Sequence, residues 1–131
     1  MHDETPLKRG TRILEELKAK YPHSKSYDLD GRSLHFVCEV EPVDEHPQYD
    51  RAVKAIISSI PHKHLKMKQW YTIISGSLEL TVGDKTITLS TGDKYTVEPR
   101  LVHSAKSVGD KECWVEIYSE PGWTKEDHIR V

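Results

Sequence analysis

From Ser33 onward the chain is written in short alternating runs, broken by the glycine-marked turns Ser75-Gly76, Val82-Gly83-Asp84, Thr91-Gly92-Asp93 and Val108-Gly109-Asp110. A side-chain period of two is the signature of half-buried strands. Strands this short, separated by turn residues, specify an all-β sandwich or barrel rather than alternating β and α units. In SLHFVCEVEPV, Phe36, Cys38 and Val40 share one face while His35, Glu39 and Glu41 fall among the others. RAVKAIISSI reads as the next strand, running directly into His62, and WYTIISGSLELTV, KTITLS, KYTVEP and ECWVEIYS complete the series. The acidic, proline-containing stretch EPVDEHPQYD reads as a surface loop.

The N-terminal segment follows a different period. Thr5-Pro6 offers a capping hydroxyl followed by a proline at the first helical position. Leu7, Ile13, Leu14 and Leu17 form an apolar stripe at helical spacing, and Pro22 ends it. Gly10 weakens the first turns, so a start near Thr11 is the alternative. The expected organisation is a single domain: residues 1–32 a helical segment with a lead-in strand, residues 33–131 the β-barrel, with the short helix packed outside it.

The chain's 131 residues suffice for one domain with a real core. The formal net charge of −2 argues against nucleic acid or an anionic membrane as the main partner. No apolar run approaches the roughly 18 residues of a membrane span, and the charged start MHDETPLKRG is unlike a secretion signal. Two distant cysteines, Cys38 and Cys113, each inside a strand pattern, suit free buried thiols better than a disulfide framework. A cytoplasmic location is the expectation.

Chemistry concentrates in PHKHLKMKQWYTIISG. Residues i and i+2 of a strand point the same way, so His62 and His64 can converge on one point inside a barrel. The Gln69 amide oxygen can join them after a short excursion. His103, beyond a second glycine-marked strand, can complete the set. Three imidazoles and an oxygen donor suit a first-row divalent transition metal (Zn, Mn, Fe, Ni or Co) and match Ca or Mg poorly. His2, His23, His35, His46 and His128 have no such spacing and read as ordinary surface or structural histidines.

This pattern resembles the cupin superfamily. Residues 62–76 match its first motif, His-x-His, four residues, an acidic position, six residues and glycine; residues 92–107 resemble the second, through Gly92-Asp93, Pro99 and His103. The resemblance implies a jelly-roll barrel closed around a metal held by His62, His64, Gln69 and His103, and a homodimer that covers exposed sheet edges. Departures are Gln69 in place of the usual glutamate, and Glu98, Arg100 and Ser107 in the second motif. A neutral glutamine leaves the metal its full dipositive charge, which lowers affinity and raises Lewis acidity.

QWYTIISG and the tail EIYSEPGWTKEDHIR are also similar to small cupins related to mannose-6-phosphate isomerase, which implies sugar isomerisation or epimerisation. The lysines interleaved with the ligands, together with Arg100, point to a small anionic substrate such as a sugar phosphate or a uronate. Lys54, Lys68, Tyr95 and Arg100 are the expected substrate-binding residues, and Glu116 and Tyr118 the candidates for proton transfer. Glu116 and Tyr118 share a face of their strand with Glu112 and Trp114, and that face is either a substrate-lining wall or outward and solvated. The alternatives are a metal-dependent dioxygenase of a small organic substrate and a non-catalytic ligand-binding cupin. No helix-turn-helix pattern precedes the barrel.

Overall fold

The computed structural model describes residues 4–45 and 47–131; His2 and His46 lie outside them. Helix α1 spans Pro6–Lys20, starting where the cap is rather than at Thr11. The Thr5 side chain accepts the Lys8 N–H at 3.1 Å, and the Tyr21 N–H closes the other end on the Leu17 carbonyl just before Pro22. Gly10 is buried inside the helix, where a Cβ would come into ordinary contact with Ser33 Oγ at 3.4 Å and the Phe36 ring at 3.5 Å. Ile13 and Leu17 are fully buried against Phe36, Cys38, Val53, Ala55 and Trp114. Each such burial contributes about 1.5–3 kcal/mol.

Eleven strands follow among the described residues: β1 (Lys25–Asp28), β2 (His35–Glu41), β3 (Asp50–Ile56), β4 (His62–Lys63), β5 (Lys68–Ser75), β6 (Ser77–Val82), β7 (Lys85–Ser90), β8 (Lys94–Val97), β9 (His103–Ser107), β10 (Cys113–Glu120) and β11 (Ile129–Arg130). They form two antiparallel sheets, ordered β1-β2-β3-β10-β5-β8 and β11-β4-β9-β6-β7. This is a jelly-roll arrangement of two facing sheets that do not close into a continuous barrel.

The expected strand RAVKAIISSI does not run through to His62. Strand β3 stops at Ile56, and the chain then crosses between the sheets. Ser59 carries it over: its N–H donates to the Ala105 carbonyl and its Oγ accepts the Ala105 N–H. The chain then enters β4 after Pro61, which has no N–H to extend a ladder. This switch sets His62 directly opposite His103 across β4 and β9.

One end of the space between the sheets is filled. Tyr71, Ile73, Leu78, Leu80, Val97, Val115 and Ile117 are among its packed side chains. Along β5 and β10 the inward positions continue past this core to Gln69 and Ser119, which line an open cavity at the other end. Both cysteines are free and buried. Among the described residues no helix is long and apolar enough to cross a membrane.

Candidate metal centre and cavity

Each of the three histidines is oriented by its own backbone partner. The Nδ1 of His62 lies 2.9 Å from the Ile60 carbonyl, that of His103 lies 3.1 Å from the Leu101 carbonyl, and that of His64 lies 3.0 Å from the Asp127 carbonyl. A carbonyl only accepts, so Nδ1 carries the proton on each ring and Nε2 keeps its lone pair for a ligand. The ligand atoms of His62, His64 and His103 all lie within 4.8 Å of one another.

Gln69 enters from the opposite sheet. Its Nε2 points at Ser119 Oγ, 3.4 Å away, and its Oε1 is buried without a hydrogen-bond partner. The Nε2 atoms of His64 and His103 are buried and unpartnered in the same way. A buried polar atom left without a partner costs about 1–3 kcal/mol, and two of these atoms belong to the histidine triad. Burial, with repulsion from His103 as the next cause, lowers the pKa of His62 to about 2 and of His64 to about 4. Burial lowers that of His103 as well. The rings are therefore neutral at pH 7. Three neutral imidazoles and an amide oxygen form a donor set that fits a first-row divalent metal.

The C-terminal segment buttresses this set, a feature with no signal in the ligand spacing. The Asp127 carboxylate accepts the backbone N–H groups of Leu65 and Lys66 through Oδ1 (2.8 and 2.9 Å) and of Met67 through Oδ2 (3.0 Å). Strand β11 pairs Ile129 with Lys63 and Arg130 with His62. His128, read from sequence as ordinary, stacks on His62 with ring centroids 4.7 Å apart. It also lines the cavity and faces the Trp123 indole N–H across 3.4 Å.

The cavity has a volume of about 540 Å³. Its wall of β2 and β3 carries His35 and Lys54, and Asp30 stands at its rim beside Arg130. His35 is 3 % exposed and its Nε2 has no partner, so it too departs from the ordinary reading. Lys54 is the one expected substrate-binding residue of the four that lines this space. Lys68 pairs with Glu98 at 3.6 Å and lies over Trp70. Tyr95 packs against the apolar core opposite Tyr71. Arg100 is exposed and contributes its backbone N–H to the His64 carbonyl.

The candidates for proton transfer are placed away from the cavity. Strand alternation puts Val115, Ile117 and Ser119 of β10 inside, so Glu116 and Tyr118 face out. Glu116 binds Arg51 at 2.7 Å; the Tyr118 hydroxyl donates to Glu120 at 2.5 Å, and its ring stacks on Tyr49. The shared face with Trp114 is the outer one: Trp114 lies beneath α1, with Lys20 over its ring.

Comparison with known proteins agrees with this layout. Residues 54–118 match the family model described as a cupin domain. Pac13, described as a unique nucleoside dehydratase and also solved as a Streptomyces variant with uridine, superposes with a TM-score of 0.72 at 13 % identity over 85 % of this chain and 87 % of its own. KdgF from Halomonas sp. gives 0.61 at 16 % identity over 73 % of this chain and 87 % of its own. Oxalate decarboxylase from Bacillus subtilis gives 0.71 at 16 % identity over 85 % of this chain and 31 % of its own. At these identities the likeness is one of fold. No curated protein matches the sequence.

Proposed function

We propose that this chain, whose residues 54–118 carry a cupin domain, is a metal-dependent enzyme acting on a small hydroxylated anion of the carbohydrate class, by proton transfer of the isomerase or epimerase kind. One observation carries the reading: the ligand atoms of His62, His64 and His103 lie within 4.8 Å of one another, beside a cavity lined by His62, His64, Gln69 and Lys54. When bound, a divalent Zn, Mn, Fe, Ni or Co ion would supply Lewis acidity to a substrate oxygen. The chain's own part is to hold that ion with a neutral donor set, to orient the rings through backbone carbonyls, and to balance the substrate's charge with Lys54. The neighbours support a small-molecule site in this fold, since a Pac13 variant was solved with uridine. The reading includes a homodimer in a reducing cytosol, in keeping with the two free thiols.

The test starts with elemental mass spectrometry on untagged protein and on a His62→Ala/His103→Ala variant. Near-stoichiometric metal in the first and none in the second is the expected result, with circular dichroism unchanged. Sugar phosphates and uronates are then incubated with the metal-loaded protein in D2O, and proton NMR should show solvent deuterium at the carbon next to the carbonyl. Failure to take up any of the five ions on reconstitution overturns the metalloenzyme reading.

A further inference from the structure

The cavity wall opposite the histidine set carries two polar groups that the metal centre does not use. Lys54 makes no hydrogen bond or ion pair among the described residues, although it lines the cavity. His35, on the neighbouring strand, is 3 % exposed with its Nε2 unpartnered. Lys54 stands opposite Val37 in the β2–β3 ladder, and His35 is two residues along from Val37 on the same face. Diagonal neighbours of this kind lie roughly 7–8 Å apart, close enough for both to reach one bound group.

We propose that Lys54 and His35 form a carboxylate-binding subsite, so that the ligand of this cavity is a hydroxylated monocarboxylic acid and not a phosphate ester. The inference rests on the metalloenzyme reading for the second contact, which the metal end of the cavity would make. Charge count selects the acid. Lys54 offers at most one positive charge: burial lowers its pKa, and the nearby carboxylates of Asp50 and Asp30 work against that shift and favour the charged amine. Arg130 holds Asp30 Oδ1 at 3.0 Å and so offsets that carboxylate, while Asp50 Oδ2 is taken up by the Trp123 N–H. Lys54 then has one positive charge to offer, enough for a monoanion. A phosphate dianion there would bring a second negative charge towards Asp50 and Asp30 that the single amine of Lys54 does not balance. Burial keeps the His35 ring neutral, and its Nε2–H tautomer donates to a carboxylate oxygen without adding charge. Arg32 comes only to 3.9 Å from Asp30 Oδ2, and that oxygen accepts no hydrogen bond among the described residues. It is left to accept from a ligand hydroxyl, which is the reason for a hydroxylated acid.

The test is titration calorimetry on metal-loaded protein with D-galacturonate, D-glucuronate, D-gluconate and glycolate. Comparison ligands are D-galactose, D-glucose and D-glucose 6-phosphate, and metal content is measured on the same samples. At least one acid should bind tenfold or more tightly than the neutral sugars and the phosphate. Lys54→Met should erase that preference at unchanged metal content, and His35→Leu should weaken acid binding several-fold. Equal or tighter binding of the phosphate, no binding of any acid, or an undiminished preference in Lys54→Met overturns the subsite. Should Lys54→Met fail to fold, the Lys54 Nζ resonance of the wild-type protein is followed instead, and an unmoved resonance on acid addition counts against the subsite. If the protein holds no metal, the metalloenzyme reading fails by itself. An acid preference that Lys54→Met removes from the metal-free protein would still leave the subsite standing.

Discussion

The His64 ring is held by a residue more than sixty positions away in the chain: its Nδ1 lies 3.0 Å from the backbone carbonyl of Asp127. The Asp127 side chain meanwhile accepts three successive backbone N–H groups just after His64. One residue thus fixes both the ring and the loop that carries it. Asp127→Ala strands three donors, one of them on buried Met67, at about 1–3 kcal/mol for each buried group left unpaired. It also loosens a metal ligand's support, an effect typically worth about 10–100-fold in metal affinity. Chelator competition should show that loss. Asp127→Asn, which keeps one acceptor oxygen, should lose less than the alanine variant. Equal affinity in all three proteins would contradict the role.

Gln69 is the amide member of the proposed, wholly neutral donor set, with its Oε1 buried and unpartnered. Gln69→Glu places a carboxylate of nearly the same shape at this position. Opposite charge beside a dipositive ion strengthens binding, so metal affinity should rise by about tenfold or more in the same competition assay. The metal-free variant should show the reverse. Burying an unpaired carboxylate is costly, so its Tm should fall below that of the metal-free wild type and recover when metal is added.

The depressed histidine pKa values set a pH dependence with a definite sign. His62 and His64 titrate normally near 6.5 when unfolded, but at about 2 and about 4 when folded. Between pH 6.5 and these lower values the unfolded chain binds more protons, so folding stability falls as pH falls. Metal-free protein should lose stability progressively from about pH 6.5 to about pH 4, by up to about 1.4 kcal/mol per pH unit for each such histidine. Denaturant titrations at a series of pH values measure this. A His62→Gln/His64→Gln variant should show a visibly flatter profile.

Much of this architecture is legible in the sequence. Period-two alternation and Gly-Asp turns specify the β strands, and alternation alone sorts the two faces of β10. The histidine triad is legible because His62 and His64 stand two residues apart and His103 follows a second glycine-marked strand in the order of the family motifs. His35, Asp127 and His128 are not, because their roles arise from pairings between distant strands. His128 reaches His62 only because β11 returns to pair with β4. The orientation of the Glu116 face is undecidable from sequence for a related reason: alternation separates two faces without saying which one meets the cavity. The break at Ile56 is hard to read because its only marks in RAVKAIISSI are the polar pair Ser58-Ser59, and Ser59 carries the crossing only through Ala105, far along the chain.

Under the proposed function, the outward placement of Glu116 and Tyr118 predicts that proton transfer survives their loss. Glu116→Gln weakens one of the two carboxylate contacts of Arg51, which keeps Glu41 at 2.6 Å. That ion pair is partly exposed, so the change should cost less than about 1 kcal/mol of stability. Tyr118→Phe removes a hydroxyl bonded only to Glu120 among the described side chains, and should leave the Tm close to that of the wild type. Metal content and deuterium incorporation should stay within about twofold of wild type in both variants, as befits side chains outside the cavity. A large drop in either one, to a tenth or less, would place chemistry on the outer face.

Gly76, which ends the motif begun by His62, has a physical reason for being glycine. Its φ of +94° lies in the region that side chains rarely adopt. A Cβ there would reach only ordinary contact with Cys113 Cα, at 3.4 Å, so the backbone conformation is what calls for glycine. Gly83 is a natural control: its φ is +61°, inside the left-handed helical well, and a Cβ added to it would meet nothing within 4 Å. Gly83→Ala should therefore cost about 1 kcal/mol, whereas Gly76→Ala, at a φ beyond that well, should cost more, about 1–3 kcal/mol. Thermal melts of the two variants side by side give the comparison. Equal losses would mean that the larger φ of Gly76 carries no extra strain for a side chain.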